Sequence, residues 1–163
     1  MKKLSENPKT STQADESSIV GFSKKNGFEF LSNFYVSSIT FEGKLYPSVE
    51  HAYQAAKSLN EETRRLIRSA NNPNTAKRLG QSIVVREDWH DIKIAVMKVL
   101  IRKKFENPFI RWRLKDTAGR HLINENLWND RFWGVVGGDG ENWLGKILEE
   151  VREEIILIDM QEE

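Results

Sequence analysis

Pro47-Ser48-Val49-Glu50-His51-Ala52-Tyr53-Gln54-Ala55-Ala56-Lys57 is the stretch on which the reading of this chain turns. Its residues favour a short helix. Ser48 stands where an N-cap belongs, with a hydroxyl able to accept a hydrogen bond from a free amide of the first turn. At about 3.6 residues per turn, Glu50, Gln54 and Lys57 share one side, and Ala52, Ala55, Ala56 and Leu59 share the other. The small side chains admit a close neighbour. The opposite stripe carries a carboxylate, an amide and an amine. Facing water, that stripe means little. Facing a pocket, it holds most of what breaking a bond to a sugar requires.

Elements of a helix-rich chain flank this segment. Before it, Ser38-Ile39-Thr40-Phe41 and Lys44-Leu45-Tyr46 read as a hairpin, with Glu42-Gly43 as the turn. After it, Asn60 is placed to cap a helix from Glu61 to Ser69. Asn72-Pro73 is a cap followed by a proline at the first helical position, with Gly80 as the stop. Asp88 is placed to cap a longer helix to about Lys104, on Trp89, Ile92, Val96, Val99 and Leu100. Asn107-Pro108 repeats the start signal, and Gly119 ends that helix. Leu122-Ile123 and Trp133-Gly134-Val135-Val136 read as short extended pieces. A last helix runs from about Glu141 to Ile155. The sum is an α+β fold: one predominantly helical domain over 19–163 with a small β component. The polar residues 1–18 read as a disordered tail.

Composition narrows the function. The chain has 163 residues, no cysteine and a formal net charge of +1. That excludes thiol nucleophiles, disulfides and cysteine-ligated zinc, and it fits a cytoplasmic setting. The near-neutral balance argues mildly against a protein built to bind polynucleotide. No apolar run reaches the roughly 20 residues that span a bilayer, so no membrane partner is expected. Met1 to Ser18 lacks the apolar core of a secretory signal. Five tryptophans are many for a small domain, and Trp128, Trp133 and Trp143 lie close together.

Each candidate residue has a plain alternative. Glu50 in a first helical turn complements the helix dipole from solvent; buried, it can steady positive charge or activate water. Lys57 is a surface amine, a phosphate contact, or a nucleophile toward an anomeric carbon if burial lowers its pKa. Asp130-Arg131-Phe132-Trp133-Gly134 leads into the glycine-rich turn Gly137-Gly138-Asp139-Gly140, whose amides can hold a phosphate at a helix entry. Such turns are common, and this one lacks the phosphate-loop ending. Gly145 inside the last helix fits a close approach by another backbone or a ligand, and fits core packing equally well. Trp89 and Trp133 can stack on a planar base or fill the core; Trp112 and Trp143 read as packing residues. His51, His90 and His121 have no metal-ligand spacing. Arg64-Arg65, Lys77-Arg78 and Arg102-Lys103-Lys104 are solvated faces or a basic rim for a phosphorylated ligand.

Taken in order, these motifs resemble the YbiA-like or NADAR family. The resemblance rests on Ser32-Asn33-Phe34, Tyr46 to Lys57, Arg86-Glu87-Asp88-Trp89, Lys104-Phe105, Asp130 to Gly134 and Gly140 to Leu148. It covers roughly Gly21 to Ile155, and its specificity lies in the ordered set. It implies a compact helix-rich α+β domain and N-glycosidase chemistry on phosphoribosyl or ADP-ribosyl compounds, with no cofactor and no metal. One branch cleaves early riboflavin intermediates to release ribose 5-phosphate; another removes ADP-ribose from guanine in nucleic acid.

Carried over by position, Glu50, Asp130 and Lys57 are the expected catalytic residues. Asn33, Phe34, Gln54, Trp89, Trp133, Gly138 and Asn142 are expected at the substrate, with the amides from Gly138 to Asn142 and Lys57 on phosphate and the two tryptophans on the heterocycle. In the hydrolysis this implies, Glu50 steadies the ribose cation or directs water, and Asp130 orients ribose hydroxyls or serves as second carboxylate. A variant route makes Lys57 a transient covalent partner. Relatives often carry glutamate where this chain has Asn124, with Glu125 beside it; Glu149 also departs from the common pattern. The competing readings are a non-catalytic ADP-ribose reader and an interaction domain without ligand, the latter requiring Glu50 and Lys57 to be exposed.

Overall fold

The computed structural model describes residues 17–162. The tail expected over 1–18 lies outside the described residues except for Ser17 and Ser18, and Ser18 opens the first strand. Helix α1, Val49–Ala56, is the hub. Ser48 caps it as expected, its Oγ accepting from the His51 amide at 3.3 Å. All eight of its residues are buried, so its polar stripe does not face bulk water. Leu59, placed on the dry side by periodicity, is exposed. Three other helices enclose α1: α2 (Glu61–Arg68), α3 (Pro73–Gln81) and α4 (Trp89–Lys104). Fully buried Ala52 and Ala55 allow that close packing.

Asparagine supplies three further helix starts. Asn60 accepts from Thr63 N at 2.9 Å, Asn72 from Thr75 N at 2.9 Å, and Asn107 from Phe109 N at 3.0 Å, the last opening α5 (Pro108–Lys115). Asp88 does not cap α4. Its carboxylate takes both prongs of the Arg86 guanidinium, at 2.5 and 2.8 Å, and a fork of charge-assisted bonds outcompetes a lone amide. Gly80 is not a stop either, because α3 continues to Gln81 and closes on Ser82.

The β component is small. Strands β2 (Ile39–Phe41) and β3 (Lys44–Tyr46) form the expected antiparallel hairpin, with Glu42 and Gly43 both at positive φ. Strand β1 (Ser18–Val20) pairs in parallel with β4 (His121–Ile123), a long-range pairing that neither strand's own sequence announces. Trp133 to Val136 forms no strand. Isolated bridges join Glu125 to Val135 and Val136 to Asp139 within a looped connection.

Helix α6 spans Trp143–Glu162, past the expected end at Ile155. Asp159 holds the added turns by pairing with Arg111 and Lys115 of α5. The last helix packs on α4, α5 and β4. Gly145 is where β4 meets α6: a Cβ there would lie 1.9 Å from the Leu122 carbonyl oxygen, so the close neighbour is backbone rather than ligand. Glu149 belongs to the same junction and accepts from Leu122 N at 2.7 Å. Trp112, expected to pack, is exposed, and Trp143 is half-buried with its indole N–H on Glu141.

Candidate active site

A cavity of about 530 Å³ opens between α1, α3 and two connecting segments. Glu50, Tyr53, Gln54 and Lys57 reach it from α1, and Asn74, Lys77 and Gln81 from α3. The i, i+3, i+7 spacing of those α3 residues aligns them on one face. Asn33 and Phe34 come from the segment before the hairpin. Asn124, Glu125, Trp128, Asp130 and Trp133 come from the β4–α6 connection. Glu50 and Asp130, eighty positions apart in the sequence, thus line one hollow.

Glu50 is 6 % exposed. Gln54, one turn on, donates from Nε2 to its Oε1 at 2.7 Å. The Glu50 backbone amide donates to the Asn33 carbonyl at 3.1 Å, so the Asn33 segment also closes the first turn of α1. Burial pushes the Glu50 carboxyl above the usual carboxylate range; the Gln54 hydrogen bond, Lys77 and Lys57 pull it down, and Asp130 pushes it up again. Burial lowers the Lys57 ammonium, with Glu50 opposing and Lys77 reinforcing the fall.

Two lysines face this cavity without a carboxylate partner among the described residues. The Lys57 ammonium lies 5.6 Å from the Tyr53 ring centroid. The Lys77 ammonium lies 5.7 Å from the Phe34 ring and 5.3 Å from the Trp128 ring. Side by side on the α1–α3 side of the cavity, the two ammonium groups offer a place for an anionic group, although Glu50, Glu125 and Asp130 line the same space. Asp130 is fixed by its own loop. Its Oδ1 accepts from Phe132 N at 3.1 Å and Trp133 N at 2.8 Å. The Asn126 side chain closes the loop on the Asp130 backbone, at 2.9 Å to its amide and 2.7 Å to its carbonyl. That clasp leaves Trp128 on the rim.

Other expected residues sit elsewhere. Trp89 is not on the cavity wall; it is buried behind Tyr53, ring centroids 5.1 Å apart. Trp133 is on the wall and meets Tyr53 edge-on at 5.5 Å. Gly138 is exposed and does not line the cavity. Asn142 is consumed by structure, its amide bridging the Leu122 carbonyl at 2.9 Å and the Asn124 amide at 3.0 Å. The glycine-rich turn therefore presents no phosphate cradle here. Asn124 and Glu125 both line the cavity, with Glu125 Oε1 accepting from Gly137 N at 2.7 Å. Lys77, read in the sequence only within a pair that forms a solvated face or a basic rim, lines the cavity, as do Tyr53 and Trp128, to which the sequence reading gave no site role. The polar Asn74–Lys77–Gln81 spacing is the signal that turns Lys77 toward the cavity.

His51 is structural. Its ring bridges Ser48 Oγ at 2.8 Å and the Ala70 carbonyl at 3.1 Å, which calls for a proton on Nε2, and burial lowers its pKa. Among the described residues no group of three or more His, Cys, Asp or Glu side chains could hold a metal. No helix of the described residues is long and apolar enough to cross a membrane.

Fold and cavity together define a small α+β ligand-processing domain with its acids and amines gathered around one cavity. The chain belongs to the NADAR family: the NADAR domain model matches residues 21–156. It is 37% identical over 140 residues to N-glycosidase YbiA of Escherichia coli, covering 83% of this chain and 87% of that one. It is 40% identical over 130 residues to Riboflavin biosynthesis protein VVA0006 of Vibrio vulnificus, covering 77% of this chain and 35% of that longer protein. The NMR structure of E. coli YbiA superposes with a TM-score of 0.80 at 35% identity, covering 89% of this chain and 88% of that one.

Proposed function

We propose that this chain is an N-glycosidase that breaks the C–N bond between a phosphorylated ribose and an amino-pyrimidine of the riboflavin pathway, releasing ribose 5-phosphate. The observation that carries this reading is a buried carboxylate, Glu50, sharing one cavity with two lysines that form no close ion pair among the described residues. A phosphate monoester supplies the negative charge those lysines call for. The cavity volume of about 530 Å³ falls in the range of about 300–1,000 Å³ common to small-molecule sites, which supports a single nucleotide-sized ligand. Relatives named for riboflavin biosynthesis support the pyrimidine.

The chemistry follows from the side chains. As the C1–N bond breaks, its electron pair stays on nitrogen and positive charge grows on the ribose. The Glu50 anion steadies that charge. Lys57, whose amine burial favours, attacks C1. One of its protons passes through Glu50 to the departing nitrogen, and the second goes to the ring oxygen as the sugar opens. The resulting imine takes up water, which returns the amine and frees ribose 5-phosphate. Asp130 keeps one carboxylate oxygen on its loop amides and offers the other to ribose hydroxyls. Lys77 takes the phosphate in place of the glycine-rich turn. Trp133 and Tyr53 face the heterocycle.

The test is incubation of the pure protein with riboflavin-pathway phosphoribosylamines and, in parallel, with ADP-ribosylated guanine, followed by chromatography. Release of ribose 5-phosphate and the pyrimidine is expected. Release of guanine alone would move the assignment to the ADP-ribosyl branch, and binding without release would make the chain a reader.

A further inference from the structure

Gly80 lies inside α3, buried, at a position where glycine weakens a helix relative to alanine. Its φ is not in the left-handed region, so backbone conformation does not require it. Its surroundings do. A Cβ on Gly80 would lie 2.0 Å from Gln54 Oε1 and 2.8 Å from both Cβ and Cδ of Gln54. Carbon contacts optimise near 3.5–4.0 Å, so no side chain fits while Gln54 keeps its place. Gln54 is 4 % exposed, and although its amide end borders the cavity, its Cβ is fixed to the backbone of α1 and cannot retreat.

The amide of Gln54 is directional. An ionised carboxylate only accepts, so the NH2 end must face Glu50, as the 2.7 Å contact from Nε2 to Oε1 requires. The carbonyl end is thereby turned into the slot beside Gly80. Gln54 Oε1 is buried there with no hydrogen-bond partner. A buried acceptor without a donor is costly. The bond to Glu50 holds it in that orientation, and the missing Cβ at position 80 leaves room for it.

We propose that Gly80 is a positioning residue for the reaction, acting through Gln54: the slot it leaves in α3 admits the Gln54 amide at the one place from which it can tie Glu50, so that one carboxylate oxygen is held and the other is aimed at the ligand. This reassigns Gln54 from substrate contact to carboxylate holder, and it rests on the N-glycosidase reading above. Gly80 itself is not on the cavity wall. The charged groups facing Glu50 are Lys57 on its own helix, Lys77 on α3 and Asp130 on the β4–α6 connection. All three remain in the variants below.

The test compares Gly80→Ala, Gln54→Ala and the double variant. One readout is the titration of the Glu50 side-chain carboxyl by carbon-13 NMR, its signal identified by loss in Glu50→Gln. The other is kcat and KM on a phosphoribosylamino-pyrimidine. Gln54→Ala should move the Glu50 titration to higher pH and lower kcat about tenfold, the scale of one lost charge-assisted hydrogen bond. Gly80→Ala should do the same with KM unchanged. The double variant should match Gln54→Ala instead of multiplying the losses. A folded Gly80→Ala protein with an unmoved titration, or losses that multiply, would overturn the proposal. If Gly80→Ala does not fold, the double variant decides. Removing the Gln54 side chain empties the slot, so a double variant that folds and behaves as Gln54→Ala supports the proposal, and one that fails to fold overturns it. If the parent protein turns over no substrate, the NMR titration still reads the Gly80–Gln54–Glu50 linkage, so failure of the substrate assignment and failure of the positioning claim remain separable.

Discussion

Lys104 offers a quantitative check on how the cavity wall is fastened. It is 1 % exposed, and its ammonium donates to the Ser32 carbonyl at 2.7 Å, tying the end of α4 to the segment that carries Asn33 and Phe34. The Tyr35 and Phe105 rings lie 5.7 and 5.4 Å away, and no carboxylate pairs with it among the described residues. Burial lowers its pKa from 10.5 to about 7. Between those values the unfolded chain binds a proton that the folded chain lacks, so stability rises with pH across this window. The slope is about 1.4 kcal/mol per pH unit, or about 5 kcal/mol over the whole window. Lys104→Met keeps length and flexibility but removes the titration. At neutral pH it relieves a buried charge and strips Ser32 of its donor, two effects of opposite sign, so the slope is the decisive quantity. Urea unfolding of both proteins from pH 6.5 to 9.5 should show the parent gaining about 3 kcal/mol on the variant, with all other titrations cancelling in the difference. Parallel stability curves would refute the reasoning, since Lys104 would then hold its proton equally in both states.

Further outcomes follow from the cavity itself. Lys77→Met should raise KM about tenfold for a phosphorylated ligand and leave a dephosphorylated analogue unaffected, the loss of about 1.4 kcal/mol expected for one charged contact; equal effects on both ligands would remove Lys77 from the phosphate. Borohydride added during turnover should leave a ribose 5-phosphate mass on Lys57, and an unmodified protein would return the reaction to direct attack by water. Activity should fall on the acid side as Glu50 takes up its proton, at a pH above the usual carboxylate range because burial raises that pKa. A pH–rate profile with no acid limb above that range would count against Glu50 acting as an anion.

Most of the helical framework was readable from local chemistry. Asn60, Asn72 and Asn107 start helices because each carries an acceptor that a free first-turn amide needs, and neither partner depends on distant structure. Glu42-Gly43 specified its hairpin just as locally, through a turn at positive φ. Where a distant or competing partner intervened, the local signal misled. Asp88 went to Arg86, Gly80 served Gln54 in place of a helix end, and α6 ran on because Asp159 found α5. The parallel pairing of β1 with β4 joins segments a hundred residues apart, and three-residue strands carry no periodicity to announce it. The site divides the same way. Glu50, Gln54 and Lys57 fall on one helix stripe, and their convergence was legible. Trp89 was misplaced because an aromatic behind a wall and one on it have the same sequence signature. Asn142 was misplaced because its amide is spent on Leu122 and Asn124.

The most direct test is a side-by-side assay of the parent protein and Glu50→Ala, matched for fold by circular dichroism, with a phosphoribosylamino-pyrimidine as substrate and ribose 5-phosphate quantified by mass spectrometry. Steady release by the parent and at least a hundredfold slower release by the variant is the predicted result, the lower end of what a positioned acid–base group contributes, about 10²–10⁴-fold. Equal release by the two proteins would contradict the assignment of the buried carboxylate as the centre of the reaction.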